Sequence, residues 1–131
     1  MSDTNYTEID FDSVGAKLRG RLYRSGNSNA PIVVMAHGFT ATAHMSLYKF
    51  TERLAEHGNH TLVYDHRNLG LSDGAPRYVV DQWVQIRGYS DAISVALTME
   101  DLTSEQIVVW GESLGGAQSI SSRRLTTEFP Q

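Results

Sequence analysis

Residues 106–116, QIVVWGESLGG, place an apolar, β-rich run directly before a turn of glycine and serine. The run predicts a buried strand that ends at Trp110, and a helix is expected to start at about Leu114. Gly111, Ser113 and Gly115 match G-x-S-x-G, in which a serine lies at the tip of a sharp strand-to-helix turn. The free N–H groups at the start of that helix favour a negatively charged oxygen. The alternative interpretation is a glycine-rich turn with a helix-capping serine.

A second buried strand is predicted upstream, where an apolar run from Pro31 ends at His37-Gly38. In this position the backbone N–H of Phe39 can face the serine, and together with the N–H of Leu114 it would form a two-donor oxyanion hole. Gly38 lets the chain turn without a Cβ clash. For His37 the favoured interpretation is a buried structural histidine that holds this loop through hydrogen bonds.

A third segment, residues 65–74 (DHRNLGLSDG), follows the short β-rich run Thr61-Leu62-Val63-Tyr64. Asp65 and Arg67 are two positions apart and can pair across a tight loop, so they are interpreted as structural support beside the site. His66 is a possible base or metal ligand, but no second His or carboxylate has metal-ligand spacing around it. The segment therefore predicts no metal.

The chain opens with a predicted β-hairpin. Residues 6–11 alternate apolar and polar side chains, with Tyr6, Ile9 and Phe11 as expected anchors. Residues 12–15 have turn chemistry, and residues 17–23 alternate again, with Leu18 and Leu22 on one face.

Two helices are predicted between the strands. Residues 44–57 have helical spacing of apolar side chains, and Gly58 is expected to end that helix. Asp81 is expected to cap a longer helix that runs to about Met99, with an apolar stripe made of Trp83, Ile86, Ile93 and Leu97. Strands that alternate with helices predict an α/β fold with right-handed crossovers and a parallel sheet.

Composition limits the classes of function. The chain has 131 residues, 40% hydrophobic and 20% charged, which predicts one globular domain. A net charge of −4 does not favour nucleic acid, and the absence of Cys excludes thiolate catalysis and disulfides. No apolar run reaches the roughly 18 residues of a membrane span, and the polar, acidic start suggests a cytoplasmic protein. Ala117 stands where a P-loop needs Lys, and Ser113 interrupts a dinucleotide-type G-x-G.

The hairpin, the MAHGFTA loop, the DHRNLGLSDG segment and VVWGESLGG, in this order, resemble the N-terminal half of the α/β-hydrolase superfamily. The similarity is strongest to its dienelactone-hydrolase-like and peptidase-like branch, which includes polyketide transferases and thiohydrolases. It covers about residues 6–120, and residues 121–131 form an atypical tail. The resemblance implies Ser113 as nucleophile, Phe39 and Leu114 as oxyanion donors, and Gly111 and Gly115 as the glycines of the turn. It implies a small ester or thioester substrate and no cofactor.

One departure from that family is large, because its catalytic triad runs Ser, acid, His in chain order. All five His residues precede Ser113, and the 18 residues after it include Glu128 but no His. We therefore expect a partial α/β-hydrolase domain over residues 1–131 that is inactive alone, since a Ser hydroxyl needs an adjacent base. The alternative is a non-catalytic remnant or interaction module. The strand at 106–110 would then be an exposed sheet edge through which the chain self-associates.

Overall fold

The computed structural model describes residues 6–36, 43–77, 79, 81–99, 102 and 106–110. In chain order the elements are β1 (Tyr6–Ser13), β2 (Ala16–Tyr23), β3 (Ile32–Ala36), α1 (Ala43–Glu56), β4 (His60–Tyr64), α2 (Gln82–Thr98) and β5 (Ile107–Trp110). Each predicted strand and helix in this part of the chain is present, and most boundaries agree within one or two residues.

The five strands form one sheet in the order β1-β2-β4-β3-β5. β1 and β2 are an antiparallel hairpin, and β2 joins the rest of the sheet through antiparallel pairing with β4. β4, β3 and β5 are parallel to one another. The expected N-terminal hairpin followed by a mostly parallel sheet is therefore confirmed.

The hairpin turns at Val14 and Gly15, both in the left-handed region with φ of 48° and 74°. Of the three predicted anchors, Phe11 is buried and Ile9 is partly buried, whereas Tyr6 is 42% exposed. Tyr6 lies at the open end of the hairpin, where its ring contacts Tyr23. The guanidinium of Arg21 also lies over this ring, 4.1 Å from its centroid, so Tyr6 packs at the surface and only the turn-proximal part of β1 belongs to the core.

The core lies on both faces of the sheet. On the α2 face, the buried side chains come from β1 to β5 and from α2, and include Leu18, Leu22, Val34, Leu62, Tyr64, Tyr89 and Ile93. On the α1 face, a smaller cluster contains Tyr23, Met35, Leu47, Ala55 and Val63. The central strands β3 and β4 are buried at every position, which is typical of parallel strands covered on both sides.

Asp81 caps α2 as predicted, because its carboxylate accepts hydrogen bonds from the backbone N–H groups of Trp83 and Val84. The predicted apolar stripe is wrong at both ends, however: Trp83 is 71% exposed and Leu97 is 40% exposed. The face that packs on the sheet contains Tyr89, Ala92, Ile93 and Ala96, and Ile86 is buried as well. Of the four predicted positions only Ile86 and Ile93 are buried, whereas Gln85 in the first turn and Ala96 in the last turn are buried as well. Trp83 and Leu97 therefore lie beside the packed face of the helix and not beyond the end of the sheet.

β5 forms one edge of the described sheet. Ile107 is buried, but Val108 is 48% exposed, and Val109 and Trp110 are partly buried. The predicted strand at residues 106–110 is therefore present but buried only in part, and the expected exposed edge agrees with the structure of the described residues. Trp110 packs toward α1, where its ring lies 5.5 Å from that of Phe50.

Candidate active site

Three parallel strands end at the same edge of the sheet. Ala36, the last residue of β3, pairs with Tyr64, the last residue of β4. On the other side of β3, Met35 pairs with Trp110, the last residue of β5. The segments that follow β3, β4 and β5 therefore begin side by side. In open α/β sheets, sites form at the carboxyl ends of the strands.

Seven of the predicted site residues lie outside the described residues. They are His37, Gly38 and Phe39, which follow β3, and Gly111, Ser113, Leu114 and Gly115, which follow β5. Their roles remain predictions. The structure describes the strands that lead into them, and these strands are hydrogen-bonded neighbours.

Asp65 is buried directly after β4, and its carboxylate, its backbone carbonyl and its backbone N–H all form hydrogen bonds. Its carboxylate accepts a hydrogen bond from the backbone N–H of Leu71 at 3.0 Å. Its backbone carbonyl accepts from the hydroxyl of Ser72 at 2.6 Å, and its backbone N–H donates to the carbonyl of Arg19 at 3.1 Å. Gly70 closes over the carboxylate with φ of +55°, where a Cβ would collide with Asp65. Asp65 thus organises the loop that follows β4.

Arg67 has a different partner from the one predicted. Its guanidinium donates to the side-chain oxygen of Asn68 at 3.3 Å, and the described ion pairs do not include one with Asp65. The carboxylate of Asp65 turns toward the backbone of Leu71, whereas Arg67 extends toward Gly74. The expected direct pairing of Asp65 with Arg67 is therefore wrong, although both residues belong to the same loop.

Asn68 contributes more to this loop than the sequence indicated. It has a positive φ of 73°, which Asn tolerates better than most residues. Its backbone N–H donates to the carbonyl of Asp73 at 2.9 Å, and its side-chain amide donates to the carbonyl of Val79 at 3.0 Å. It therefore ties the loop to the segment that leads into α2.

Arg77 is a further residue that the sequence analysis missed. Its guanidinium donates to the backbone carbonyls of Gly70, Ser72 and Gly74, at 2.7, 2.6 and 3.3 Å. One cation therefore gathers three carbonyl groups of the loop. An arginine before a helix gives no sequence signal for such a role, since its partners are backbone atoms.

The loop is also fastened to the hairpin. The hydroxyl of Ser72 accepts from the backbone N–H of Arg19 at 2.8 Å, and the guanidinium of Arg19 donates to the carbonyl of Leu71 at 3.0 Å. Arg19 also forms an ion pair with Asp73. The hydrogen bond between the Arg19 and Asp73 side chains raises the pKa of Arg19 and lowers the pKa of the Asp73 carboxyl. The backbone N–H of Asp73 donates to the carbonyl of Lys17.

His66 lies buried at the end of β4, among aromatic rings. Its ring is edge-on to Tyr64 and tilted toward Tyr89, with both ring centroids 5.6 Å away. Burial raises the pKa of the Tyr64 hydroxyl well above its usual value. Within the described ranges, no three His, Cys, Asp or Glu side chains converge in a way that could hold a metal.

The sequence matches the model of a known protein family over most of its length. Residues 27–126 match the family described as serine aminopeptidase, S33. The chain belongs to this family, which is one of α/β hydrolases. Its relatives include hydrolases and acyltransferases.

Two curated relatives illustrate this membership. The chain is 40% identical to the thiohydrolase aneE of Aspergillus aculeatus over 121 residues, 92% of this chain and 38% of the relative. It is 35% identical to the quorum-quenching protein AidA of Acinetobacter baumannii over 116 residues, 88% of this chain and 38% of the relative. The chain therefore spans about two fifths of the length of these relatives.

Solved structures agree with the fold. The α/β hydrolase GrgF from Penicillium superposes with a TM-score of 0.88 and 27% identity, over 95% of this chain and 43% of that one. The structure of DcsB with its substrate analogue gives a TM-score of 0.87 at 26% identity, over 95% of this chain and 42% of that one.

In the described part of this chain, neither helix combines the length and apolar character that crossing a membrane requires.

Proposed function

We propose that this chain carries the nucleophile and the oxyanion donors of a serine hydrolase or acyltransferase that acts on esters or thioesters. The observation that carries the proposal is the adjacency of β3 and β5, whose carboxyl ends are level at Met35 and Trp110. The segment with Phe39 follows one strand end, and the segment with Ser113 follows the other. This topology supports a serine and an N–H donor that face a common substrate carbonyl.

In the proposed reaction, Ser113 Oγ attacks the carbonyl carbon while its proton passes to solvent water, and the electron pair of the C=O bond moves onto the oxygen. The N–H groups of Phe39 and Leu114 donate to that oxyanion, and losing one such donor typically costs about 10²–10³ in rate. Collapse of the intermediate breaks the ester or thioester bond and expels an alkoxide or thiolate. The acyl group stays on Ser113 until water or another acceptor removes it.

The missing element is the base. At neutral pH a Ser hydroxyl needs a neighbouring base to accept its proton, and no His follows Ser113 within these residues. We propose that the 131 residues alone lack the acid and the histidine of the triad and turn over substrate poorly. Oxyanion stabilisation without a triad leaves about 10³–10⁴ over the reaction in water.

The substrate class is proposed from the relatives. Several are named as thiohydrolases or polyketide transferases, among them those of Aspergillus aculeatus and Stachybotrys chlorohalonatus. A thioester is therefore our first choice, with an ester as the second. A thiolate is a better leaving group than an alkoxide. A serine without a neighbouring base would therefore react more readily with a thioester than with an ester.

A second candidate function is a non-catalytic remnant or interaction module. Two observations favour it: no His follows Ser113 in the sequence, and Val108 is 48% exposed at the described edge of the sheet. In this alternative the serine turn is structural and the edge strand binds another polypeptide.

The deciding experiment compares the 131-residue chain with Ser113→Ala, using p-nitrophenyl acetate and a short acyl thioester as substrates. Ser28→Ala is the matched control, because Ser28 is an exposed serine in the loop before β3. We expect weak turnover that Ser113→Ala lowers to the rate left by the oxyanion donors alone and that Ser28→Ala leaves unchanged. Equal rates in all three proteins would show that Ser113 does not act as a nucleophile in these 131 residues and would favour the non-catalytic alternative.

A further inference from the structure

Tyr89 of α2 connects the helix to two strand ends. Its side chain is fully buried, and its hydroxyl oxygen lies 3.4 Å from the carbonyl oxygen of Ala36 and 3.4 Å from that of Trp110. These two residues are the last of β3 and of β5. One hydroxyl from the helix layer thus reaches both strands that lead into the proposed site.

The position of this hydroxyl is fixed by its surroundings. The Tyr89 ring is held by the rings of Tyr64 and His66, at centroid distances of 6.0 and 5.6 Å. A hydroxyl has one proton, so it donates to one carbonyl at a time or is shared between the two. Because the two carbonyl acceptors lie on neighbouring strands, the shared hydroxyl links these strands, and its hydrogen bonds weaken when the strand ends separate.

We infer that Tyr89 is a positioning residue whose hydroxyl holds the carboxyl ends of β3 and β5 together. The segments with Phe39 and Ser113 start at these two ends, so the link sets the distance between oxyanion donor and nucleophile. This last step depends on the proposed function, whereas the link between the strand ends does not.

The contacts of the Tyr89 hydroxyl distinguish this residue from one that only fills space. A Phe ring would occupy the same volume but would leave the carbonyls of Ala36 and Trp110 without this donor. Tyr64 provides the comparison: it belongs to the same ring cluster, and its buried hydroxyl has no hydrogen-bond partner among the described residues. Two tyrosines in one cluster thus differ in whether the hydroxyl reaches the backbone.

The test is amide hydrogen exchange in the full chain for wild type, Tyr89→Phe and the matched control Tyr64→Phe. We expect Tyr89→Phe to speed exchange about fivefold in residues 35–40 and 109–114, the loss of roughly one hydrogen bond. Residues 32–34 and 107 at the opposite ends of β3 and β5 are expected to change less, and Tyr64→Phe to change neither region. Equal profiles for the two variants, or a uniform increase across the sheet with Tyr89→Phe, would overturn the inference.

A kinetic measurement tests the link to catalysis separately. If turnover depends on Ser113, Tyr89→Phe is expected to lower kcat about tenfold with little change in KM, because it displaces the reacting groups rather than the bound substrate. Tyr64→Phe is expected to retain wild-type kcat, and a kcat for Tyr89→Phe equal to it would contradict the catalytic role. If Ser113→Ala matches wild type, the proposed function fails, and the exchange profiles still decide whether Tyr89 links the strands.

Discussion

At the scale of single residues, the close contact between Gly70 and Asp65 constrains the loop after β4. A Cβ at Gly70 would collide with the buried carboxylate, and φ there is +55°. We expect Gly70→Ala to destabilise the protein by about 3 kcal/mol, from left-handed strain of about 1–2 kcal/mol together with displacement of a buried hydrogen-bonded carboxylate. Chemical denaturation measures this change.

The hairpin offers a matched control for that substitution. Gly15 also has a positive φ, +74°, but a Cβ there would meet nothing within 4 Å. Gly15→Ala is therefore expected to cost only the backbone strain, about 1–2 kcal/mol. An equal loss of stability in both variants would show that Gly70 matters only for its backbone conformation.

The ion pair between Arg19 and Asp73 predicts a dependence of stability on pH. Arg19 lowers the folded-state pKa of Asp73, so the stabilisation is present above the carboxyl's ordinary pKa and is lost as pH falls through the lowered value. Arg19 stays charged throughout this range, since its pKa is raised. Both side chains are partly exposed, so the effect is small and screened by salt.

Thermal denaturation of Asp73→Asn between about pH 5 and pH 2 checks this prediction. The variant is expected to lose less stability on acidification than wild type does. Glu56→Gln, at the exposed end of α1, serves as the control for removing one carboxylate. An Asp73→Asn profile parallel to that of wild type would exclude a contribution from this pair.

The residue scale also shows what the sequence could indicate about the site. Asp65 and Arg67 were assigned to structural support from their place after a strand, and Asp65 lies at the centre of the loop's hydrogen bonds. The partners were not predictable, because Arg19 and Ser72 are 53 positions apart and meet only through the sheet. Long-range hydrogen bonds to backbone atoms require the fold before they can be assigned.

At the scale of elements, the cap of α2 carries a prediction of its own. Asp81 accepts from two backbone N–H groups at the start of the helix, at 2.9 and 3.3 Å. Asp81→Ala is expected to cost about 1 kcal/mol, whereas Asp81→Asn keeps an acceptor oxygen and is expected to remain near wild type. Denaturation midpoints of the two variants check this, and equal losses would show that charge at the helix end matters more than the hydrogen bonds.

Element positions were predictable because each element has a local signal. Asp81 and Gly58 mark helix ends, and alternation or apolar runs mark the strands. The exposure of Trp83 was not predictable, since the buried face of α2 includes the polar Gln85 and the small Ala92 and Ala96, which an apolar pattern does not identify. Periodicity indicates an amphipathic helix, and only the fold shows which side of it is covered.

At the scale of the whole molecule, the strand order β1-β2-β4-β3-β5 brings together segments that are distant in sequence. The crossover through α1 places β4 on one side of β3, and β5 lies on the other side. The sequence indicated parallel strands but not their order. This order makes β3 the common neighbour of both, so the segments after β3 and β5 start together.

The same order leaves β5 at an edge of the described sheet, with Val108 48% exposed beside Trp110. An apolar edge strand invites pairing with another chain, so we expect self-association that increases with concentration. Val108→Lys is expected to reduce it, because a lysine on an edge strand opposes pairing. Leu97→Lys is the control, since Leu97 is similarly exposed but lies on α2. Light scattering measures all three proteins, and a monodisperse wild-type monomer across the concentration range would contradict the prediction.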